Sequence, residues 1–394
     1  MAELDGFGRN GLPEGLRSRM ARGINGLDMH FLEAGFTSPG RPCVLLLHGF
    51  PELAYSWRKV MLPLAAAGYY VVAPDQRGYG RTTGWDGSYD GDLGSFRTLN
   101  LVRDVLGLVA ALGYRSVASV VGHDFGSPVA AWCALVRPDV FRSVALMSSP
   151  FPGPPALPFD TAHDAATAHP PAASVASIDH AALAALARPR KHYQWYYSTR
   201  AADADMHGCP QGLHAFLRAY YHAKSADWKP NRPHALASWA AGELAKLPEY
   251  YVMDLGKNMA ETVAPLAPNA AEVTACRWLS EEELAVYSAE YAKTGFQGAL
   301  QWYRCVTSGR TTAELQTYAG RTIDVPACFI AGASDWGTYQ KPGELEKMQA
   351  GACSRFAGVH LVEGAGHWVQ QEQSAAVSRL LLDFLRQAET SGAK

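Results

Sequence analysis

The sequence predicts an α/β fold: a mostly parallel sheet with helices on both faces and a helical section inserted into its second half. Three observations carry that prediction. Short apolar runs alternate with helical stretches through the first 150 residues. A long, aromatic-rich helical section follows. Two more apolar runs then appear close to the C-terminus.

Taken in order, Cys43–Leu47 (CVLLL), 69–73 (YYVVA), 117–121 (VASVV) and Val144–Met147 (VALM) are almost uninterrupted apolar segments. Such runs suit strands buried on both faces of a parallel sheet. Between the second and third, residues 100–112 place Leu101, Val105, Leu108, Val109 and Leu112 at helical spacing, and Gly113 supplies the stop. Strands and helices in alternation imply crossover connections. The late runs 327–331 (ACFIA) and 359–362 (VHLV) complete the sheet, and an amphipathic helix is expected from about 375 to 387.

The middle of the chain reads differently. Residues 151–189 are rich in Ala and Pro with little periodicity and read as a flexible connector. Residues 190–308 read as a helical cap, in which Ser280 and Glu283 form a capping box ahead of Leu284, Tyr287 and Tyr291. The sheet domain is then expected to comprise 1–150 and 309–394.

Composition narrows the function. The 394 residues hold 35 Lys plus Arg against 37 Asp plus Glu, a net charge of −2, with no basic run. That balance argues against nucleic acid or an anionic membrane as partner and favours a small, neutral or apolar substrate. The seven cysteines form no CxxC pair and no Cys/His ligand spacing, so no metal site and no disulfide framework is expected. No basic start with an apolar stretch opens the sequence, and no segment is apolar for long enough to span a bilayer. A reducing, cytoplasmic setting is the expectation. No glycine-rich G-x-G-x-x-G pattern follows the first strand, so no nucleotide and no other cofactor is expected.

The strongest chemical signal is Gly122-His123-Asp124-Phe125-Gly126, after the VASVV run and before a helix that stops at Pro138. This is the strand–turn–helix setting of a nucleophile elbow, with Asp124 where Ser is common. An Asp before a helix is often only an N-cap; the flanking glycines in a tight turn favour chemistry. His48-Gly49-Phe50-Pro51-Glu52 follows the CVLLL run. A His-Gly turn there lets the Phe50 N–H face the nucleophile as half of an oxyanion hole, while His48 itself reads as structural, beside a possible cis peptide at Phe50-Pro51. Asp335 follows the ACFIA run, and His367 follows the VHLV run about thirty residues later. One His among 13 means little alone. The order nucleophile, acid, His across successive strand ends is that of a catalytic triad on this kind of sheet.

The segments HGFPELAYSWR, PDQRGYG, GHDFG, GASDWG and GAGHW resemble the epoxide hydrolases of the α/β-hydrolase superfamily, from His48 to Trp368. The resemblance implies an α/β-hydrolase fold, a small apolar epoxide as substrate and two cap tyrosines that hold its oxygen. Tyr193 in HYQWY and Tyr303 in GALQWYR resemble those two, with Tyr196 and Tyr197 as competitors for the first. Many members carry Trp after the nucleophile; Phe125 departs from that and leaves its backbone N–H role intact.

Chemistry agrees with the resemblance. Asp124 is ionised at neutral pH and needs no base to attack an epoxide carbon. The leaving oxygen becomes a strong base, which phenols are suited to protonate. His367, oriented by Asp335, then activates water against the resulting ester, with the Phe50 and Phe125 N–H groups holding the oxyanion. Glu52 and His123 are candidates to order that water. His48, Pro51, Trp195, Trp302 and Trp368 are weaker candidates for the pocket wall, since core packing uses the same residue types.

Two rivals share the fold. A dehalogenase releases halide unprotonated and calls for N–H donors such as indoles, and the Phe125 side chain has none; Gln194 stands where the haloacid-processing relatives that this chain resembles tend to carry His. A non-catalytic ligand-binding protein would not need nucleophile, acid and His together. An esterase is disfavoured because Asp124 attacking an acyl group gives a labile anhydride.

Overall fold

The computed structural model describes residues 2–3, 12–157 and 178–392. Nine strands form one sheet: β1 (Ala2–Glu3), β2 (Leu16–Ile24), β3 (Leu27–Ala34), β4 (Cys43–Leu47), β5 (Tyr70–Pro74), β6 (Ser119–His123), β7 (Val144–Met147), then, after the helical section, β10 (Ala327–Gly332) and β11 (Phe356–Val362). Between them in the chain, β8 (Arg190–His192) and β9 (Val252–Asp254) make a separate antiparallel ladder. The large sheet runs β1-β2-β3-β5-β4-β6-β7-β10-β11. Pairing is parallel from β5 through β11 and antiparallel at the β1–β2–β3–β5 end.

Alternation along each strand divides the core in two. In β4, Leu45 and Leu47 face one apolar layer and Val44 and Leu46 the other. Helix α1 (Arg58–Ala66) packs on one face with the C-terminal helix Ser374–Gly392; α2 (Thr98–Ala111) and α3 (Gly126–Val136) pack together on the opposite face. The helices between β7 and β10 join the strands' carboxyl ends through direct bonds. Tyr221 donates to the Pro51 carbonyl at 3.1 Å, Trp302 Nε1 to the Arg77 carbonyl at 2.9 Å, and Arg58 pairs with Glu283 at 2.9 Å.

Three local outcomes differ from the expectations. The hairpin β2–β3 has no strand pattern in LRSRMARGI, where burial does not alternate, yet its turn is an Asn25-Gly26 pair with both φ values positive, 49° and 84°. That dipeptide is the usual signature of a two-residue hairpin turn. Strand β6 starts two residues later than the VASVV run and reaches His123, so the turn begins at Asp124. Val117 is held only by a bridge to Phe141. Inside the expected connector, Asp179 caps a helix at His180–Ala184 through the Ala182 N–H at 2.8 Å, with Leu183 buried. Residues 158–177 of that connector lie outside the described residues. The capping box at Ser280 is present in full and opens the helix Glu281–Thr294.

Candidate active site

Asp124 stands on the turn between β6 and α3 with φ at 51°, in the left-handed region. The turn is this tight because both flanking glycines touch backbone: a Cβ on Gly122 would meet the Gly126 carbonyl, and one on Gly126 would meet those of Leu47 and His48. The elbow therefore seats α3 directly on β4 and lifts Asp124 above the strand ends.

Three strand ends converge on that carboxylate. Phe50, after β4, donates its backbone N–H to Asp124 Oδ1 at 2.8 Å. His367, after β11, brings Nε2 to 3.3 Å from Asp124 Oδ2. Asp335, after β10, lies 3.0 Å from His367 Nδ1 and also accepts the Gly337 N–H at 2.7 Å. All three triad side chains are largely or wholly buried.

Electrostatics follow from that geometry. Burial pushes the Asp124 carboxyl up, but the hydrogen bond and charge of His367, with Lys224 and His123, outweigh it and hold the group well below the usual carboxylate range. Burial raises Asp335 as well, and His367 again brings it below its ordinary value. The His367 ring is pushed down by burial and Lys224, and its two aspartate neighbours lift it above the ordinary histidine value.

Across a cavity of about 260 Å³ Asp124 faces Tyr193 and Tyr303, with Phe125, Gln194 and Trp302 beside them. The same cavity is lined by apolar Trp132, Val306 and Leu315 and by charged Lys341 and Glu344. The Tyr193 hydroxyl accepts the Gln194 Nε2–H and donates to Gln340 Oε1, both at 3.0 Å. Tyr303 packs edge-on to Phe125 with centroids 4.8 Å apart. Burial first, and then the Asp124 charge, hold both phenols far above their ordinary pKa, so both are protonated. Tyr196 spends its hydroxyl on Asp205 and Tyr197 on Tyr220, and neither lines the cavity.

Of the residues expected on the pocket wall, Trp302 is there and the others serve elsewhere. His48, which burial keeps below its ordinary pKa, bonds the Gly49 carbonyl and the Gln76 N–H. Pro51 follows a cis peptide and its carbonyl holds Tyr221. Trp195 points the opposite way along its helix, its ring 4.4 Å from that of His180. Trp368 packs between His367 and Tyr221 and donates its indole N–H to the Tyr221 carbonyl at 2.8 Å. Glu52 and His123 are fully buried and bonded to each other at 2.6 Å, behind the triad instead of at the cavity. Gln340 and Lys224 were not singled out from sequence. Gln340 carries only the weak signal of lying five residues past Asp335; a lysine at a helix end normally reads as a solvated charge.

Among the described residues no group of three His, Cys, Asp or Glu is arranged to hold a metal ion, and no helix is long and apolar enough to cross a membrane. The described cysteines are free thiols, all buried except the half-buried Cys276.

Residues 42–373 match the family model described as the alpha/beta hydrolase fold. The chain is 34% identical to epoxide hydrolase A of Mycobacterium tuberculosis over 364 residues, 92% of this chain and 95% of that protein. It is 30% identical to an epoxide hydrolase of Caballeronia sordidicola over 363 residues, 92% of each. Among solved structures, it superimposes on an epoxide hydrolase from an endophytic Streptomyces with a TM-score of 0.73 at 30% identity, covering 96% of this chain and 97% of that one. Potato (Solanum tuberosum) epoxide hydrolase I gives a TM-score of 0.70 at 29% identity, over 94% of this chain and 99% of that one.

Proposed function

The chain is an enzyme of the epoxide hydrolase family of the alpha/beta hydrolase fold, and on that premise we propose that it converts an apolar epoxide and water to a vicinal diol through an ester on Asp124. In this reading residues 1–150 and 309–394 form the catalytic core, and 190–308 form the cap that presents both phenols. The observation that carries the proposal is the linked set Asp124–His367–Asp335, at 3.3 and 3.0 Å, opposite Tyr193 and Tyr303 across one cavity.

Asp124 Oδ1 is held by the Phe50 N–H, and Oδ2, which lies 3.3 Å from His367 Nε2, is the oxygen that attacks in this reading. A new Oδ2–carbon bond forms as one epoxide C–O bond breaks, and the ring oxygen takes a proton from a phenol. His367 Nε2 next removes a proton from water, which adds to the Asp124 carbonyl carbon. The charge then collects on Oδ1, where the Phe50 N–H waits; the Phe125 N–H completes the pair in this proposal. Collapse expels Oδ2 with the diol, which takes the proton from His367. The Asp124 carboxyl so formed retains one oxygen from water, and its proton passes through solvent to the phenolate left by the first step, which restores the starting state.

Dehalogenation finds less support. Trp302, the tryptophan nearest Phe125, spends its N–H on the Arg77 carbonyl and has none to offer a halide.

The test is one turnover of excess enzyme on styrene oxide in ¹⁸O-water. An unlabelled diol, with label kept in the peptide containing Asp124, is expected. Label in the first-turnover diol would mean direct attack by water and end the nucleophile assignment.

A further inference from the structure

A buried ammonium lies beside the triad without an acid to pair it. Lys224 ends the helix Leu213–Lys224 and is 4% exposed. Its Nζ is 4.9 Å from the Tyr251 ring centroid and 5.4 Å from those of Tyr220 and Trp368. Among the described residues no carboxylate forms an ion pair with it. Ring faces attract a cation, but an unpaired buried charge is costly, and an apolar side chain of the same shape is usually the more stable choice. A lysine kept in such a place calls for a functional reason.

The main chain fixes its position relative to the base. The Lys224 carbonyl accepts the His367 backbone N–H at 2.9 Å. Gly366 packs so closely that a Cβ there would strike the Ser225 and Ala226 backbone. Glu372 clamps the two segments together, accepting N–H groups from Ala226 at 2.8 Å, Gly366 at 2.9 Å and Trp368 at 3.0 Å. Burial lowers the Lys224 pKa, and the Asp124, Asp335 and Glu52 carboxylates oppose that shift and favour the ammonium.

We propose that Lys224 is a positioning residue for the second half of the reaction, a fixed positive charge that makes His367 release its proton once Asp124 has been consumed in the ester. The inference rests on the epoxide-opening reading above. The groups that face the His367 ring are Asp124 from the β6 turn, Asp335 from the β10 end, His123 with Glu52 behind it, and Lys224. Tyr250 and Tyr251 sit near Asp335 as neutral phenols, held up by burial.

While Asp124 is a carboxylate, two anions stabilise the imidazolium against burial and Lys224. An ester carries no charge, so alkylation removes one anion and leaves the cation in place. The balance shifts to neutral imidazole, the proton passes to solvent, and the ring becomes a base at the moment water must be activated. Lys224 thereby couples the state of the nucleophile to the protonation of the base.

The experiment is a rapid-quench measurement of ester formation and breakdown on styrene oxide between pH 5 and 9, by intact-protein mass, for wild type and Lys224→Met. Methionine keeps the shape and removes the charge. The acid limb of ester breakdown is expected to move up by about one pH unit, so that ester accumulates near neutral pH, with thermal stability equal to or above wild type. Lys224→Gln carries the same expectation if the methionine variant does not fold. A folded variant with the wild-type limb overturns the inference, as does failure of both variants to fold, which would make the lysine structural. A wild-type enzyme that forms no ester would instead remove the epoxide-opening reading, and this inference with it.

Discussion

His123 and His367 are joined ring to main chain: Nε2 of His123 lies 2.7 Å from the His367 carbonyl oxygen. That oxygen only accepts, so Nε2 donates, and Nδ1 faces the Glu52 carboxylate at 2.6 Å. Burial raises the Glu52 carboxyl, but His123 and the other two imidazoles outweigh it and keep it below its ordinary value. Gln370 and Gln371 donate to its second oxygen at 2.8 and 3.0 Å. The pair thus braces the backbone that carries the His367 imidazole.

This arrangement predicts strong coupling between Glu52 and His123. Glu52→Gln keeps the shape and removes the charge; His123→Gln removes the other partner. Each is expected to cost roughly 1–3 kcal/mol in stability, because it leaves a buried hydrogen-bonding group without its counterpart. The double variant should cost less than the two together by at least about 1 kcal/mol. Urea unfolding of the four proteins measures this, and simple additivity would refute it.

The two phenols are set up differently. Tyr193 is held between Gln194 and Gln340, whereas the Tyr303 hydroxyl has no hydrogen-bond partner among the described residues. Replacing either tyrosine by Phe is expected to slow ester formation about 10²–10³-fold, as for other donors to a developing oxyanion. Gln194→Leu should slow it by roughly tenfold, since it removes one N–H from the Tyr193 oxygen. Pre-steady-state ester formation is the measurement. Wild-type rates in both Phe variants would exclude the phenols as donors.

The triad also makes stability depend on pH in a stated direction. His367 is raised, so its contribution is complete below about pH 6.5 and is lost as pH rises through its folded value. Asp124 and Asp335 are lowered, so theirs is complete above about pH 3.9 and is lost as pH falls through their folded values. Both contributions are in force between about pH 4 and 6.5. The difference in Tm between wild type and His367→Gln is therefore predicted to be widest in that window and to narrow on either side. A difference that grows steadily from pH 5 to 9 would contradict the pairing.

Much of this molecule is written locally. Cys43–Leu47 and Val144–Met147 are strands at the same bounds the apolar runs suggest, because a strand covered on both faces has no use for polar residues. The elbow was legible because only glycine fits where the Gly122 and Gly126 backbones meet their neighbours. Ser280 and Glu283 cap their helix with atoms three residues apart, a relation the chain makes with itself. The Asn25-Gly26 turn was equally local, and its signal was masked by strands whose burial does not alternate.

Tertiary structure decided what no local pattern contains. Tyr193, Trp195, Tyr196 and Tyr197 share one five-residue helix, and packing of that helix against Tyr251, Tyr303 and Asp205 selects which ring faces Asp124 and turns Trp195 to His180. Glu52 and His123 fall behind the triad because β4 and β6 are neighbours in the sheet, though far apart in the chain. Lys224 becomes a buried charge only when Tyr220, Tyr251 and Trp368 close around it. Sequence by itself determined the elements and the chemical groups at their ends, since dihedral preference and hydrophobic period act over a few residues. Which side chains face one another, and at what protonation, was left to long-range packing, because desolvation and charge depend on neighbours that only the folded chain supplies.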